Sequence, residues 1–294
     1  MESERAQDRS DLRRWDDNLF LTYLEGLGGS GSGPVVVVDS TGSTNVDVAD
    51  QIREGAPAGF TVLAHEQVAG RGRLDRVWSS PVGAGITMSI AVRPTAPLAH
   101  WGWLPLLAGI AVTQACTDAG LGAVLKWPND IVVITEDGLD AGESTAPARK
   151  LGGILVERVD TDTERFASAA VIGIGLNTDL AADELPTPLA TSFRLEGCNV
   201  EREFLVAQIL VRVGAIVELW DAAAGDVVHT GLLDRYRDVC STLGHVVRAE
   251  RPGGDHVVGR AVDVDLSGGL IIEPTDGESV IVTAGDIVHL RAHG

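Results

Sequence analysis

Two apolar, strand-like runs, residues 60–65 (FTVLAH) and 85–92 (GITMSIAV), flank a stretch that cannot itself be core, residues 66–81 (EQVAGRGRLDRVWSSP). A glycine-containing loop bearing Arg71, Arg73 and Arg76 between two strands belongs at the edge of a packed sheet. There its backbone N–H groups and guanidinium forks can reach a phosphate. The bland alternative is a solvated basic hairpin, since loops are ordinarily polar. Two observations weigh against it. The chain carries 23 Lys and Arg against 42 Asp and Glu, a net charge of −19, so a basic cluster runs against its trend. A second polar motif, Lys126-Trp127-Pro128-Asn129-Asp130, interrupts another pair of strand-like runs, 123–127 and 131–135.

The acidic balance argues against a nucleic-acid partner, because such binding rests on neutralising phosphates. An anionic ligand must instead find a local positive patch. Only two of the 23 basic residues are lysines, Lys126 and Lys150. A chain this biased toward arginine keeps lysine where a compact ammonium is needed, the plain alternative being chance survival. The three cysteines (Cys116, Cys198, Cys240) are odd in number, scattered and form no C-x-x-C, which argues against a zinc site or disulfide framework and reads as cytoplasmic. The N-terminus has no signal-peptide core, and no apolar run approaches a membrane span.

With 294 residues the chain is long enough for one large or two smaller domains. Residues 1–11 read as disordered, and 12–24 as one short helix from apolar residues at Leu12, Trp15, Leu19, Phe20 and Tyr23. Residues 26–34 (GLGGSGSGP) contain G-x-G-x-x-G at Gly26, Gly28 and Gly31. They follow a helix and open a strand, the reverse of a dinucleotide fingerprint, and read as a loop. After the strand 35–38 comes DSTGSTN. Ser43, Thr44 or Asn45 can cap the helix expected over 46–54, and hydroxyls and free N–H groups at that helix end can grip a polar ligand group; the two readings are compatible, since different residues of the triplet can do each. Further helices are expected over 101–119, 201–220 and 232–243, and strands over 152–159 and 168–176. Residues 136–149 read as an acidic mobile loop with Lys150 at its end. From Gly244 onward short strands separated by Gly, Asp or Pro suggest a small β-barrel of about fifty residues.

EQVAGRGRLDRVWSSP, KWPND, KLGGIL and GIGLN, in this order, resemble the biotin protein ligases; each piece is weak alone and the set is specific. These enzymes form biotinyl-AMP from biotin and ATP, then pass biotin to a lysine of a carboxylase carrier domain. The resemblance covers about residue 35 to the C-terminus. It implies an α+β fold: a mixed β-sheet flanked by helices, related to class II aminoacyl-tRNA synthetase cores, plus an SH3-like C-terminal barrel. The domain plan is then an N-terminal segment 1–33, a catalytic domain 34–242 and the small domain 243–294.

Carried over by motif, the resemblance implies a biotin site of Ser43, Thr44, Asn45, Gln67, Gly70, Arg71, Gly72, Arg73, Lys150 and Gly153. It implies an ATP site of Arg71, Arg73, Trp78 (packing on adenine), Lys126, Asn129 and Asn177, with Mg²⁺ near the phosphates, Asn129 and Asp130. Lys150, Arg73 and Asp130 are the candidate catalytic groups. The chemistry suits these residue types. A biotin carboxylate attacking the α-phosphate of ATP brings two anions together, and cations must lie between them. Asp130 could orient or deprotonate the acceptor amine. Implied partners are the biotin carboxyl carrier domains of acyl-CoA carboxylases, with the chain a monomer or homodimer. About thirty residues precede the first core strand, too few for a helix-turn-helix unit, so operator binding is not expected. The nearest competitor is a lipoate ligase, whose motif is a different Arg-Gly-Gly type. A degenerate, non-catalytic homologue would be expected to lack Lys150 or the paired arginines. No Walker G-x-x-x-x-G-K-[ST] and no G-x-S-x-G elbow occurs.

Overall fold

The computed structural model describes residues 15–28, 33–74, 76–134, 148–161, 168–250, 255–283 and 286–289. The chain begins with α1 (Asp17–Gly26), then β1 (Val35–Thr41), α2 (Thr44–Arg53), β2 (Thr61–Gln67) and β3 (Gly85–Val92). A 3₁₀ turn (Leu98–Trp103) leads into α3 (Leu104–Asp118), followed by the hairpin β4 (Val124–Lys126) and β5 (Asp130–Ile134). β6 (Ala148–Val159), β7 (Ala169–Asn177), α4 (Arg202–Ala222) and α5 (Leu232–Val239) complete the larger part. Its seven strands form one sheet in the order β1-β2-β3-β7-β6-β5-β4, parallel only between β1 and β2. The expected mixed sheet flanked by helices is therefore present.

Period-two alternation along the central strands divides the two faces of this sheet. Ala170, Ile172, Ile174 and Leu176 of β7, with Ile86, Met88, Ile90 and Val92 of β3, enter the main core with α3 and α4. α3 is apolar all round, with eleven buried residues among its fifteen, because it is packed between the sheet and α4. On the opposite face Val48 and Ile52 of α2 cover Ala169 and Val171 of β7, Ala91 of β3 and Val159 of β6. α2 covers only part of that face. The remainder, toward Asn177, carries Gly173 and Gly175 and stays open as a cleft.

In β6 the alternation is broken once. Ile131 lies opposite Gly152 but Val132 lies opposite Lys150, so Leu151 is an extra residue in a β-bulge. The bulge shifts the parity of the strand. Leu151 and Ile154 enter the main core, and Lys150, Gly153 and Leu155 line the cleft.

The C-terminal part is a five-stranded antiparallel sheet, β11-β10-β9-β8-β12, formed by β8 (Val246–Glu250), β9 (His256–Val264), β10 (Leu270–Glu273), β11 (Val280–Val282) and β12 (Asp286–His289). Its inward residues Val247, Ala249, Ala261, Val264, Leu270 and Ile272 join the same hydrophobic cluster as α3 and α4. Two buried tryptophans bond the β9–β10 turn to the larger part. Trp103 Nε1 donates to Asp265 O at 3.1 Å, and Trp127 Nε1 donates to Gly268 O at 3.1 Å. Gly268 has φ +88°, and a Cβ there would stand 2.5 Å from Gly102 O, so the turn accepts only glycine.

Several expected boundaries shift for local reasons. The first helix starts at Asp17, because the Asp16 carboxylate accepts from Leu19 N and caps it; Leu12 lies outside the described residues, as do 1–11. Much of the Gly-rich loop, 29–32, and most of the acidic loop, 135–147, also lie outside. Ala148 and Arg149 already pair with Ile134 and Val133, so Lys150 sits inside a strand and not at the end of a loop. The expected helix over 101–119 is a 3₁₀ turn followed by an α-helix with Pro105 in its first turn, where a missing N–H costs nothing. α5 stops at Val239, where Cys240 turns extended and Ser241 N donates to Leu125 O of β4.

Candidate active site

The GRGR loop is a tight hairpin. Trp78 N donates to Gly70 O at 2.9 Å, Gly72 N donates to Arg76 O at 2.7 Å, and Arg71 bridges Val77. A Cβ on Gly70 would stand 2.3 Å from Trp78 O, so the glycine is what lets the hairpin close. The hairpin folds Trp78 inward. Its indole lies on Gly175 of β7, where a Cβ would stand 2.4 Å from Cε2, and its Nε1 is buried without a hydrogen-bond partner. Beneath it opens a cleft of about 580 Å³.

One wall is the N-terminus of α2. Ser43 occupies the N-cap position but makes no side-chain capping bond, and it does not line the cleft. Thr44 instead donates its N–H (2.8 Å) and its hydroxyl (3.0 Å) toward Oε1 of Gln67, which ties the helix start to the end of β2. Thr44 Oγ1 also lies 2.7 Å from Ser89 Oγ, and Ser89 Oγ donates to Asn45 Oδ1 at 2.6 Å. Asn45 Nδ2 donates to the Glu157 carboxylate at 2.6 Å. A Cβ on Gly173 would stand 2.1 Å from Asn45 Oδ1. The two glycines of GIGLN thus make room for Asn45 and Trp78.

The opposite wall is the β4–β5 turn and β6. Asn129 Nδ2 donates to Ile154 O at 2.7 Å, and Ile154 N returns a bond to Asn129 O at 3.0 Å. Arg73 NH1 reaches Asn129 Oδ1 at 3.2 Å, so the hairpin spans the cleft to the KWPND turn. Lys150 Nζ pairs with Asp130 Oδ1 at 2.5 Å. Lys126 lines the same cleft. Both lysines of the chain therefore stand in one cavity. Asn177 closes the far end, its Nδ2 donating to Thr191 O at 3.0 Å.

Of the residues singled out from sequence, Thr44, Asn45, Gln67, Gly72, Arg73, Trp78, Lys126, Asn129, Asp130, Lys150, Gly153 and Asn177 line this cleft. Gly70 is buried in the hairpin. Arg71 stands outside the lining and pairs with Glu157 at 3.0 Å. Sequence reasoning missed Glu157, Ser89 and the segment 186–191. That segment runs beside β6, with Lys150 N donating to Leu189 O and Thr191 N to Lys150 O, and it supplies Pro186 and Leu189 as a lip. No local motif marks it. Glu157 was visible as the one acid in GILVERV, but whether it shares a face with Lys150 depends on the bulge. Near the site, on β2, burial and the Arg202 charge push the His65 imidazole below its ordinary value. Among the described residues no group of three His, Cys, Asp or Glu is placed to hold a metal ion.

The description "Biotin/lipoate A/B protein ligase family" matches residues 37–177, and "Biotin protein ligase C terminal domain" matches residues 242–290. The biotin--[acetyl-CoA-carboxylase] ligase of Mycobacterium tuberculosis is 36% identical over 97% of this chain and 99% of its own length. The chain belongs to the biotin protein ligase family. The bifunctional ligase/repressor BirA of Bacillus subtilis is 31% identical over 84% of this chain and 71% of its own length. The fold of this ligase-family chain is also that of a biotin protein ligase from Aquifex aeolicus in complex with biotin and ATP. That structure has a TM-score of 0.67 at 21% identity, covering 88% of this chain and 99% of the other.

Proposed function

We infer that the chain is an ATP-dependent biotin protein ligase. It activates biotin as biotinyl-5′-AMP with release of pyrophosphate, then transfers biotin to the ε-amine of a carrier lysine. The observation that carries this reading is the convergence of Arg73, Lys126 and Lys150 on one cleft, in a chain of net charge −19 that matches a biotin ligase over nearly its full length.

Lys150 and Arg73 lie where charge gathers when a carboxylate oxygen attacks the α-phosphate and pyrophosphate leaves. Lys150 is held by Asp130, and Arg73 by Asn129, so both cations are stationed before substrate arrives. The Gly173 and Gly175 floor, with Met88 and Ile174 nearby, suits a bicyclic apolar ring and its aliphatic tail. The α2 terminus supplies the polar anchors. Asn177, Trp78 and the 186–191 lip form the end assigned to adenine. The hairpin over this cleft excludes water from a mixed anhydride that hydrolyses readily.

Magnesium would be shared between ATP phosphates, the Asp130 carboxylate and Asn129. One carboxylate plus substrate oxygens is an ordinary donor set for this ion, which offsets phosphate charge. The second substrate is a biotin carboxyl carrier domain of an acyl-CoA carboxylase, its amine presented at the mouth beside Asp130. The cytoplasm is the compartment proposed; the three cysteines are free thiols, and among the described residues no helix is long and apolar enough to cross a membrane.

The test is ATP–pyrophosphate exchange with Mg²⁺ and biotin, with lipoate, and with neither. Exchange that requires biotin is expected. Exchange with lipoate alone would move the chain to the sister activity, and a folded protein inactive with both would refute adenylation. Lys150→Ala should slow exchange by two or more orders of magnitude, as losing an electrostatic stabiliser does; an unchanged rate would remove Lys150 from the chemistry.

A further inference from the structure

Glu157 belongs to none of the motifs that mark the site, yet its carboxylate touches both sides of it. One contact is Asn45 Nδ2 at 2.6 Å, at the start of α2; the other is Arg71 NH2 at 3.0 Å, on the GRGR hairpin. Asn45 is 5% exposed, and its amide is fixed at both ends, by Ser89 at Oδ1 and by Glu157 at Nδ2. Arg71 is about half exposed, at 49%, and Glu157 one third exposed, at 33%. The carboxylate therefore bridges a rigid element to a surface hairpin.

We propose that Glu157 is a positioning residue of the biotin site: it anchors Arg71, and through it the GRGR hairpin, to Asn45 at the α2 terminus. The inference rests on the biotin-ligase reading above. A guanidinium has five N–H donors in a fixed fork. NH2 engaged by Glu157 leaves the other donors of Arg71 for an incoming carboxylate or phosphate, and the anchor limits where they point. Without it, Arg71 is a long flexible side chain on a hairpin, and ordering it on ligand arrival costs rotamer entropy. Glu157 does not line the cleft. Its effect passes through Arg71 and Asn45, and should appear in ligand capture before it appears in turnover.

The test is steady-state pyrophosphate exchange and biotin binding by calorimetry on the full chain, comparing wild type, Glu157→Gln, Arg71→Ala and the double variant. Gln keeps an acceptor for Asn45 Nδ2 and removes the charge that holds Arg71. Glu157→Gln should raise the biotin KM about two- to five-fold, the range of a half-exposed ion pair, with kcat nearly unchanged and Tm within a degree or two of wild type. The effect should shrink as salt rises from 0.05 to 0.5 M, because the pair is screened, whereas a packing defect would not respond to salt. In the Arg71→Ala background Glu157→Gln should add little. An unchanged biotin KM, or effects of the two substitutions that multiply fully, would overturn the proposal while leaving biotin-dependent exchange by the wild-type chain intact. Absence of that exchange would instead refute the functional reading.

Discussion

Gly173→Ala tests the reasoning about the cleft most directly. A Cβ at this position would stand 2.1 Å from Asn45 Oδ1 and 3.0 Å from its Cγ. Ordinary contact begins near 3.4 Å, so the amide must retreat by about 1 Å, more than a hydrogen bond of 2.6 Å tolerates. Two bonds are at stake, the neutral one from Ser89 and the charge-assisted one to Glu157. Together they contribute about 2–4 kcal/mol, toward the lower end because Glu157 is partly solvated. For a chain of this size that corresponds to a fall in Tm of roughly 3–7 °C. The biotin KM should rise at least about ten-fold, since the α2 terminus is displaced.

Gly214→Ala is the matched control. Gly214 is an exposed residue within α4, and a Cβ there meets nothing within 4 Å. The substitution should raise stability by about 0.5–1 kcal/mol through helix propensity. Scanning calorimetry and biotin titration on both variants decide the matter. If Gly173→Ala kept wild-type Tm and biotin affinity, the argument that this glycine exists to admit Asn45 would be wrong. If Gly214→Ala fell by the same amount, the effect would not be specific to the cleft.

Trp127→Phe removes the indole donor to Gly268 O and leaves a buried carbonyl unpaired. It should cost about 1–3 kcal/mol in urea melts, with a larger rise in ATP KM than in biotin KM, because the turn through Asn129 and Asp130 follows directly. His65 is held below its ordinary value by burial and the Arg202 charge, so the unfolded chain binds its proton first as pH falls. Its contribution is therefore present above about pH 6.5 and is lost as pH drops; Tm scans from pH 7.5 to 5 should show a shallower fall in His65→Gln than in wild type, and parallel curves would refute this. Burial pushes the Cys116 thiol up to about 12 and raises Cys198 and Cys240 as well, so an aromatic disulfide reagent at pH 8 should find no fast-reacting thiol in the native chain and three in urea.

Legibility differed between the motifs and what lies between them. The GRGR and KWPND segments could be read because glycine, arginine and a Pro-Asn-Asp turn cannot be core, so their place at strand ends follows from composition. The paired lysines could be read because lysine is so rare here. By contrast, the 186–191 segment carries no periodic or turn signal tying it to Lys150. Its position is fixed by backbone bonds to a strand about forty residues earlier in the chain, information that no local window contains.

The β6 bulge shows why even a correctly placed strand did not reveal the whole site. Read with strict alternation, Lys150 shares a face with Gly152, Ile154 and Val156, and Glu157 falls on the other. A lysine on the core face would then have to be buried beside Ile154, with Leu151 turned to the cleft, and desolvation forbids that without a partner. Inserting Leu151 as an extra residue resolves the conflict. The large apolar residue enters the core and Lys150 turns to the cleft beside Asp130, while Ile154 stays in the core and Glu157 stays on the other face, at Asn45. The sequence KLGG contains this conflict, a charge directly before a core leucine and two glycines. The choice between bulge and strict alternation, however, is made by β5, whose Ile131 and Val132 fix the register on either side. One residue of slippage thus decides whether Lys150 and Glu157 stand on the same face of the sheet.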